Sequence, residues 1–255
     1  MIEKVIHYCW FGRGEKTALI KKCINSWKKK CPNYKIIEWN ESNFNVHMCK
    51  FCEQAYNEKK WAFVSDYARM WILYNYGGIY FDTDIELLKN FDELLDDYAF
   101  TGFEGKYNNE MILQTGVIAC QKNDFLIKKM LDYYETKSLY DSDGTIVMEA
   151  NVVQFTNIFK NHGLIPLNQE QYVLKWHVYP RTYFTPIDPH GNRDFTKNSY
   201  ADHHFTSTWE EKEKQGLVAL RRSLKYRIKK NSYEKIKIIL GPKIVERIKR
   251  CRHGK

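Results

Sequence analysis

Two acids two residues apart, Asp82 and Asp84, close the stretch Trp61 to Asp84, WAFVSDYARMWILYNYGGIYFDTD. On a regular strand residues i and i+2 face the same side, and carboxylates so placed offer hard oxygen ligands suited to Mg²⁺ or Mn²⁺ carrying a phosphate. Asp66 and Arg69 lie three apart. On a helix that spacing puts them on one face, able to reach a ribose and a diphosphate. Further on, Ala201 to Trp209 reads ADHHFTSTW and offers adjacent imidazoles, His203 and His204. Two other patterns are poorer in chemistry. Cys49-x-x-Cys52 has no second pair, and Asp141-Ser142-Asp143-Gly144 lacks the closing Glu of a Ca²⁺ loop and reads as a turn.

The acids need elements that bring them to one place. Ala62, Tyr67, Met70, Trp71 and Tyr74 recur at helical spacing, Gly77-Gly78 breaks the pattern, and Ile79-Tyr80-Phe81 is a β-prone run leading into Asp82. Helix, tight turn, strand and acids in that order place charge where a sheet ends, which in open α/β sheets is where ligands bind. Val5 to Trp10 is a first buried strand, and Leu19, Ile20, Cys23, Ile24 and Trp27 mark a helix stopped at Pro32-Asn33. Tyr34 to Trp39 is a second strand, giving β-α-β in the first 40 residues and a mostly parallel sheet. Cys49 to Lys59 and Asn90 to Asp97 read as short helices, Ala99 to Glu104 as a strand, and Lys106 to Glu110 as a polar loop over the site. Residues 164 to 200, rich in Tyr, Pro, His and Asn, read as short strands and loops suited to acceptor recognition.

The 44% hydrophobic and 15% aromatic content is that of a globular chain. Seven irregularly spaced cysteines argue for reduced thiols. No apolar run spans a membrane and no cleaved leader is visible at the start, so the expected place is the cytoplasm. The net charge of +9 is unevenly spread: residues 217 to 255 hold 14 Lys or Arg against Glu234 and Glu246, leaving the first 216 at −3. That distribution discourages a nucleic-acid partner. In the tail, Leu217, Leu220, Leu224 and Ile228 recur at helical spacing beside basic residues, the pattern of amphipathic helices drawn to the anionic inner face of the cell membrane.

The run SDYAR followed by LYNYGGIYFDTD resembles the donor-site core of DXD-type glycosyltransferases of the GT-A fold. It is most similar to glycosyltransferase family 32, with its yeast initiating mannosyltransferases and bacterial capsular-sugar transferases; clostridial glucosylating toxins share a similar core. The likeness extends more thinly from IHYCWFG near the start to HHFTSTW. It implies an α/β fold with a GT-A-type open, mostly parallel, Rossmann-like sheet flanked by helices over residues 1–216, followed by the basic helical tail 217–255. It also implies an aromatic at the first strand's end stacking on the nucleotide base, Tyr8 or Trp10, and a donor-sugar contact from Gln114. By the same likeness His204 completes a metal site with Asp82 and Asp84, with His203 the runner-up, while Ser207 and Trp209 donate to the diphosphate. Two carboxylates with one imidazole favour Mn²⁺ over Mg²⁺.

The function so implied is metal-dependent, retaining transfer of a hexosyl or N-acetylhexosaminyl group from a nucleotide diphosphate sugar, UDP-linked ahead of GDP-linked. The acceptor is a saccharide or lipid-linked saccharide in capsule or O-antigen synthesis. Asp82, Asp84 and Arg69 carry the chemistry, with Asp66 at the donor. No carboxylate is evidently placed as a covalent nucleophile, which favours front-face attack. The alternatives are an inactive sugar-nucleotide binder and, behind it, a metal-dependent phosphodiesterase, which would need a closer-knit acid and histidine cluster.

Overall fold

A computed structural model describes residues 1–206 apart from 148, 189 and 190. The expected tail, 217–255, and Ser207 and Trp209 therefore lie outside the described residues. The chain begins with β1 (Val5–Cys9), α1 (Ala18–Lys30) and β2 (Lys35–Trp39). Thr17 caps α1 by accepting from the Ile20 N–H, and Ile20, Cys23, Ile24 and Trp27 form its buried stripe. A short α2 (Lys50–Asn57) follows. Its cap is Cys49, whose Sγ accepts from the Cys52 N–H, which gives the C-x-x-C spacing a structural role.

The next helix, α3 (Trp61–Tyr76), is buried along most of its length, including Asp66 and Arg69. It ends at Gly77 and Gly78, both at positive φ (65° and 85°). A Cβ on Gly77 would lie 2.7 Å from the Lys122 backbone nitrogen, so only glycine lets the chain turn this tightly into β3 (Gly78–Phe81). Then come β4 (Ile85–Leu87), a 3₁₀ turn at Asp92–Leu94, β5 (Ala99–Tyr107), β6 (Glu110–Leu113) and β7 (Val117–Cys120). Helices α4 (Phe125–Thr136) and α5 (Asn151–Lys160) precede β8 (Gln171–Val173), β9 (Trp176–Tyr179) and β10 (Ala201–His203).

The main sheet has the order β2-β1-β3-β7-β5-β9-β8, with β6 paired to β5. Strands β1, β2, β3, β5 and β9 run parallel, and β7, β6 and β8 run against them. Side chains of α2 to α5 pack on one face, while α1, β4 and the segment Phe184 to Ala201 pack on the other. This is the open, mostly parallel α/β sheet flanked by helices that the sequence implies. Two expectations change in detail. Asn90 to Asp97 holds only the 3₁₀ turn, and the expected covering loop Lys106 to Glu110 is the tip of the β5–β6 hairpin, turned through Asn108 and Asn109 at positive φ. Asp141 to Gly144 is the turn expected of it, closed by the Asp143 and Thr145 N–H groups on Asp141 Oδ1.

A separate two-stranded ladder matters most for the site. β10 runs antiparallel to β4, with His203 opposite Ile85 and Asp202 opposite Glu86. It carries a segment more than a hundred residues downstream to the acids that follow β3.

Candidate donor site

Strand β3 ends at Phe81, so Asp82 and Asp84 sit in the turn beyond it, closed by the Ile85 N–H on the Asp82 carbonyl. They do not share one side of a strand, and the two carboxylates have different partners. Asp82 faces α3. Arg69 Nη2 lies 3.2 Å from Asp82 Oδ1 and 2.9 Å from Asp66 Oδ1, and its Nη1 donates to the Thr115 carbonyl at 2.8 Å. Tyr80 donates its hydroxyl to Asp82 Oδ1 at 3.1 Å, and the guanidinium lies over the Tyr80 ring, 4.8 Å from its centre. Burial opposes the charge on Arg69, but Asp82, Tyr80 and Asp66 raise its pKa above the ordinary value. Burial also pushes Asp66 up to about 6 despite Arg69, leaving it an anion at neutral pH. The spacing of Asp66 and Arg69 thus placed them correctly on one helix face, at the end of the sheet where ligands bind.

Asp84 belongs to the other side. Its Oδ1 pairs with His203 Nε2 at 3.3 Å, and its Oδ2 accepts from the Thr206 N–H and hydroxyl at 2.8 and 2.9 Å. Burial alone would raise this carboxyl, but His203 and Thr206 hold it well below the usual carboxylate range. Reciprocally, Asp84 overcomes burial and raises His203 to about 9. The imidazole beside Asp84 is therefore that of His203, where the sequence had pointed to His204. The physical reason is the β4–β10 register, in which the His204 N–H bonds the Asp84 carbonyl while its ring turns to Glu86, 2.9 Å away.

Gly116 joins the two sides. A Cβ there would lie 3.1 Å from Asp82 Oδ2 and 3.2 Å from His203 Cε1, closer than side-chain packing tolerates without a shift. Its carbonyl accepts from the Asp82 N–H. Gln114, expected at the donor sugar, is fully buried, and neither its Oε1 nor its Nε2 has a partner among the described residues. A buried amide left unpaired is costly.

Two residues of this neighbourhood escaped the sequence. Asn151, at the start of α5, donates to Asp66 Oδ1 at 2.8 Å and accepts from the Thr115 hydroxyl at 2.9 Å, tying α3 to the segment before β7. Nothing in a helix-opening Asn signals such a contact. Glu104 on β5 lies in the field of His203, Asp82, Asp84 and Arg69, and burial pushes it up to about 7. In sequence it is one acid in AFTGFEGKY, a strand that also carries Thr101 and Lys106, and no motif marks it.

The candidate base-binding aromatics lie at the end of β1. Tyr8 is buried edge-on against Trp27, with ring centres 5.4 Å apart, and donates its hydroxyl to Glu38. Trp10 is half-buried, with its indole N–H on the Gly14 carbonyl at 2.7 Å and Lys16 Nζ 5.1 Å from its ring. Beside Tyr8 an open cleft of about 330 Å³ is lined by Lys16, Lys21, Ile24, Asn25 and Lys28.

Among the described residues, no three His, Cys, Asp or Glu side chains converge as a protein-only metal cage. Asp82 and Asp84 supply the hard oxygen donors of the other common arrangement, in which one or two carboxylates hold a divalent cation together with a ligand's phosphates.

Comparison with known proteins points the same way. Residues 17–101 match the family model described as the glycosyltransferase sugar-binding region containing DXD motif. The chain is 31% identical over 110 residues to inositol phosphoceramide mannosyltransferase 1 of Schizosaccharomyces pombe, covering 39% of this chain and 33% of that protein. It is 26% identical over 170 residues to the uncharacterized glycosyltransferase L373 of Acanthamoeba polyphaga mimivirus, covering 61% of this chain and 66% of that one. The chain thus spans a third and just under two thirds of these relatives. Among solved structures it is similar to PaToxG glycosyltransferase, at 22% identity and TM-score 0.48 over 63% of this chain and 69% of that one. The match over 17–101 supports a DXD-type glycosyltransferase sugar-binding region, with Asp82-Thr83-Asp84 as its DXD, on an open, mostly parallel α/β sheet.

Proposed function

We propose that this chain moves a sugar from a nucleotide diphosphate sugar, UDP-linked ahead of GDP-linked, onto a saccharide hydroxyl, with retention of configuration. The observation that carries this reading is the buried Arg69 held between Asp66 and Asp82 at the ligand-binding end of the sheet. Its N–H groups are taken up by Ser65, Thr115, Asp66 and Asp82, so it would act by fixing Asp82 in place and offsetting the charge of both acids where a phosphate and its cation would sit. Asp82 and Asp84 would hold a divalent cation, Mn²⁺ or Mg²⁺, which when bound neutralises that leaving group. His203, paired with Asp84, would orient that carboxylate. Gln114 takes a sugar hydroxyl, Trp10 with Tyr8 receives the base, and Ser207 and Trp209 supply further donors to the diphosphate.

The acceptor reading is a saccharide or lipid-linked saccharide in surface polysaccharide synthesis. Two features favour a lipid-linked acceptor: the fission-yeast relative is named an inositol phosphoceramide mannosyltransferase, and the 14 basic residues of 217–255 would hold the enzyme to anionic lipid. Incubating the protein with UDP- and GDP-hexoses and N-acetylhexosamines, with and without Mn²⁺, tests the donor reading. Release of free nucleotide that stops in EDTA is expected; binding without release in any metal would make the chain a sugar-nucleotide binder instead. Co-sedimentation with anionic vesicles, lost on deleting 217–255, tests the membrane reading.

A further inference from the structure

Three acids at the end of β3 and on α3 are already committed to protein partners. Asp66 is held by Arg69 and Asn151, Asp82 by Arg69 and Tyr80, and Asp84 by His203 and Thr206. Glu104 lies among the same charges, yet among the described residues no hydrogen bond or ion pair reaches its carboxylate. The backbone shows why it points here. The pairing of β5 with β6 is regular from Tyr107 to Gly105, then slips between Gly105 and Phe103, so Glu104 stands at a β-bulge. Alternation carries through the bulge: Ala99 and Phe103 lie under α3 to α5, while Phe100 lies on the face of the β4–β10 ladder, the side that Glu104 shares. Glu104 is thus turned into the field of His203 and Asp84.

Position across the sheet narrows what Glu104 can meet. Strand β5 stands three places from β1 in the order β1-β3-β7-β5, about 14 Å at the usual strand spacing. An extended ligand with its base at β1 and its phosphates at the acids after β3 would have its saccharide end at β5. A carboxylate repels a diphosphate but accepts readily from hydroxyls, the groups a saccharide has in abundance. We propose that Glu104 is a saccharide-contacting residue, its carboxylate accepting a hydrogen bond from a hydroxyl of the transferred sugar or of the acceptor. This rests on the donor reading above and goes beyond it by assigning Glu104, which that reading does not use.

The test compares wild type with Glu104→Gln and Glu104→Asp, on full-length protein with matched thermal melts. Three quantities are measured: affinity for UDP and GDP alone, Mn²⁺ affinity, and kcat/KM for the hexose donor the wild type consumes, with water and with a saccharide acceptor. The expected result is unchanged nucleotide and Mn²⁺ affinity and a loss of about 10- to 100-fold in kcat/KM, the scale of one hydrogen bond to a charged group. Loss in both hydrolysis and transfer assigns the hydroxyl to the transferred sugar; loss in transfer alone assigns it to the acceptor. Weakened UDP, GDP or Mn²⁺ binding would make Glu104 a phosphate or metal residue and overturn the proposal, as would variants that match wild type. A wild type that consumes no donor would instead bring down the donor reading, and this role with it.

Discussion

Of the described histidines that sit against carboxylates, His177 and His203 have surroundings that differ in one instructive respect. His177, on β9, uses both ring nitrogens: Nδ1 lies 3.0 Å from Asp97 and Nε2 2.8 Å from Glu170. Its ring is packed between Tyr172 and Tyr179, with centres 4.3 and 3.8 Å away, in a row of aromatics that continues to Tyr183 and Tyr200. His203 uses one nitrogen on Asp84, and its buried Nδ1 has no partner among the described residues. It stacks on Phe205, which is held at φ 48°, a conformation that bulky residues seldom adopt. A polar group satisfied on every side is scaffold. One left short, beside a strained backbone, marks where something else is meant to bind.

The largest effect that could break this comparison is at the carboxylate of the unsatisfied pair. Asp84→Asn should lower donor turnover by about 10²- to 10³-fold while far-UV circular dichroism stays that of the wild type, because the charge aimed at the ligand is lost and the fold's cores are untouched. An Asp84→Asn protein with wild-type turnover would reduce both pairs to scaffold. At the satisfied pair, His177→Ala should do the reverse. It leaves Asp97 half-buried without its partner and opens the aromatic row, costing about 2 to 3 kcal/mol in chemical denaturation, with turnover per folded molecule unchanged. A large fall in kcat without loss of stability would show that this pair also touches substrate.

A subtler probe is Gly116, where the two sides of the site approach too closely for a Cβ. Gly116→Ala should push Asp82 and His203 apart by a few tenths of an ångström and weaken donor turnover about tenfold or more, with little change in melting temperature. Turnover equal to wild type would mean that the spacing is not critical. Trp10→Ala is expected to weaken UDP binding by about 1 to 3 kcal/mol in calorimetry, the scale of stacking on a base. Unchanged affinity would return Trp10 to packing.

How much of this was legible depends on the distance over which each feature is encoded. The β-α-β opening, the helix carrying Asp66 and Arg69, and its Gly77-Gly78 stop are written in local periodicity and turn chemistry, and the structure shows them nearly residue for residue. The pairing of Asp84 with His203 depends on a ladder between segments more than a hundred residues apart, and a one-residue difference in register decides which imidazole faces the acid. Two-residue periodicity could name His203 and His204 as alternatives but could not choose between them. The aim of Asp82 failed for a related reason: the strand ends at Phe81, before either acid, so its two-residue alternation does not reach them. Asn151 and Glu104 needed the packed sheet, since a helix start and a bulge carry no motif.

The smallest expected effect concerns pH, and it bears on whether His177 is held by charge or by stacking. Burial opposes the charge on its ring, yet Asp97 and Glu170 raise its pKa above the ordinary value. A group whose folded pKa is raised stabilises the fold fully below its unfolded value, about 6.5 for imidazole, and that contribution is lost as pH rises through the folded value. Thermal melts of wild type and His177→Gln should therefore differ most at about pH 6 and converge as pH climbs, because the neutral ring gives up its attraction to both carboxylates and Gln never had it. Glu170 is half exposed, so the charge part is screened and the convergence should be modest and smaller still in high salt. A gap between the two proteins that stays constant with pH would assign the role of His177 to its place between Tyr172 and Tyr179. The two histidines would then differ in kind, His177 acting as an aromatic spacer and only His203 as an ionic partner.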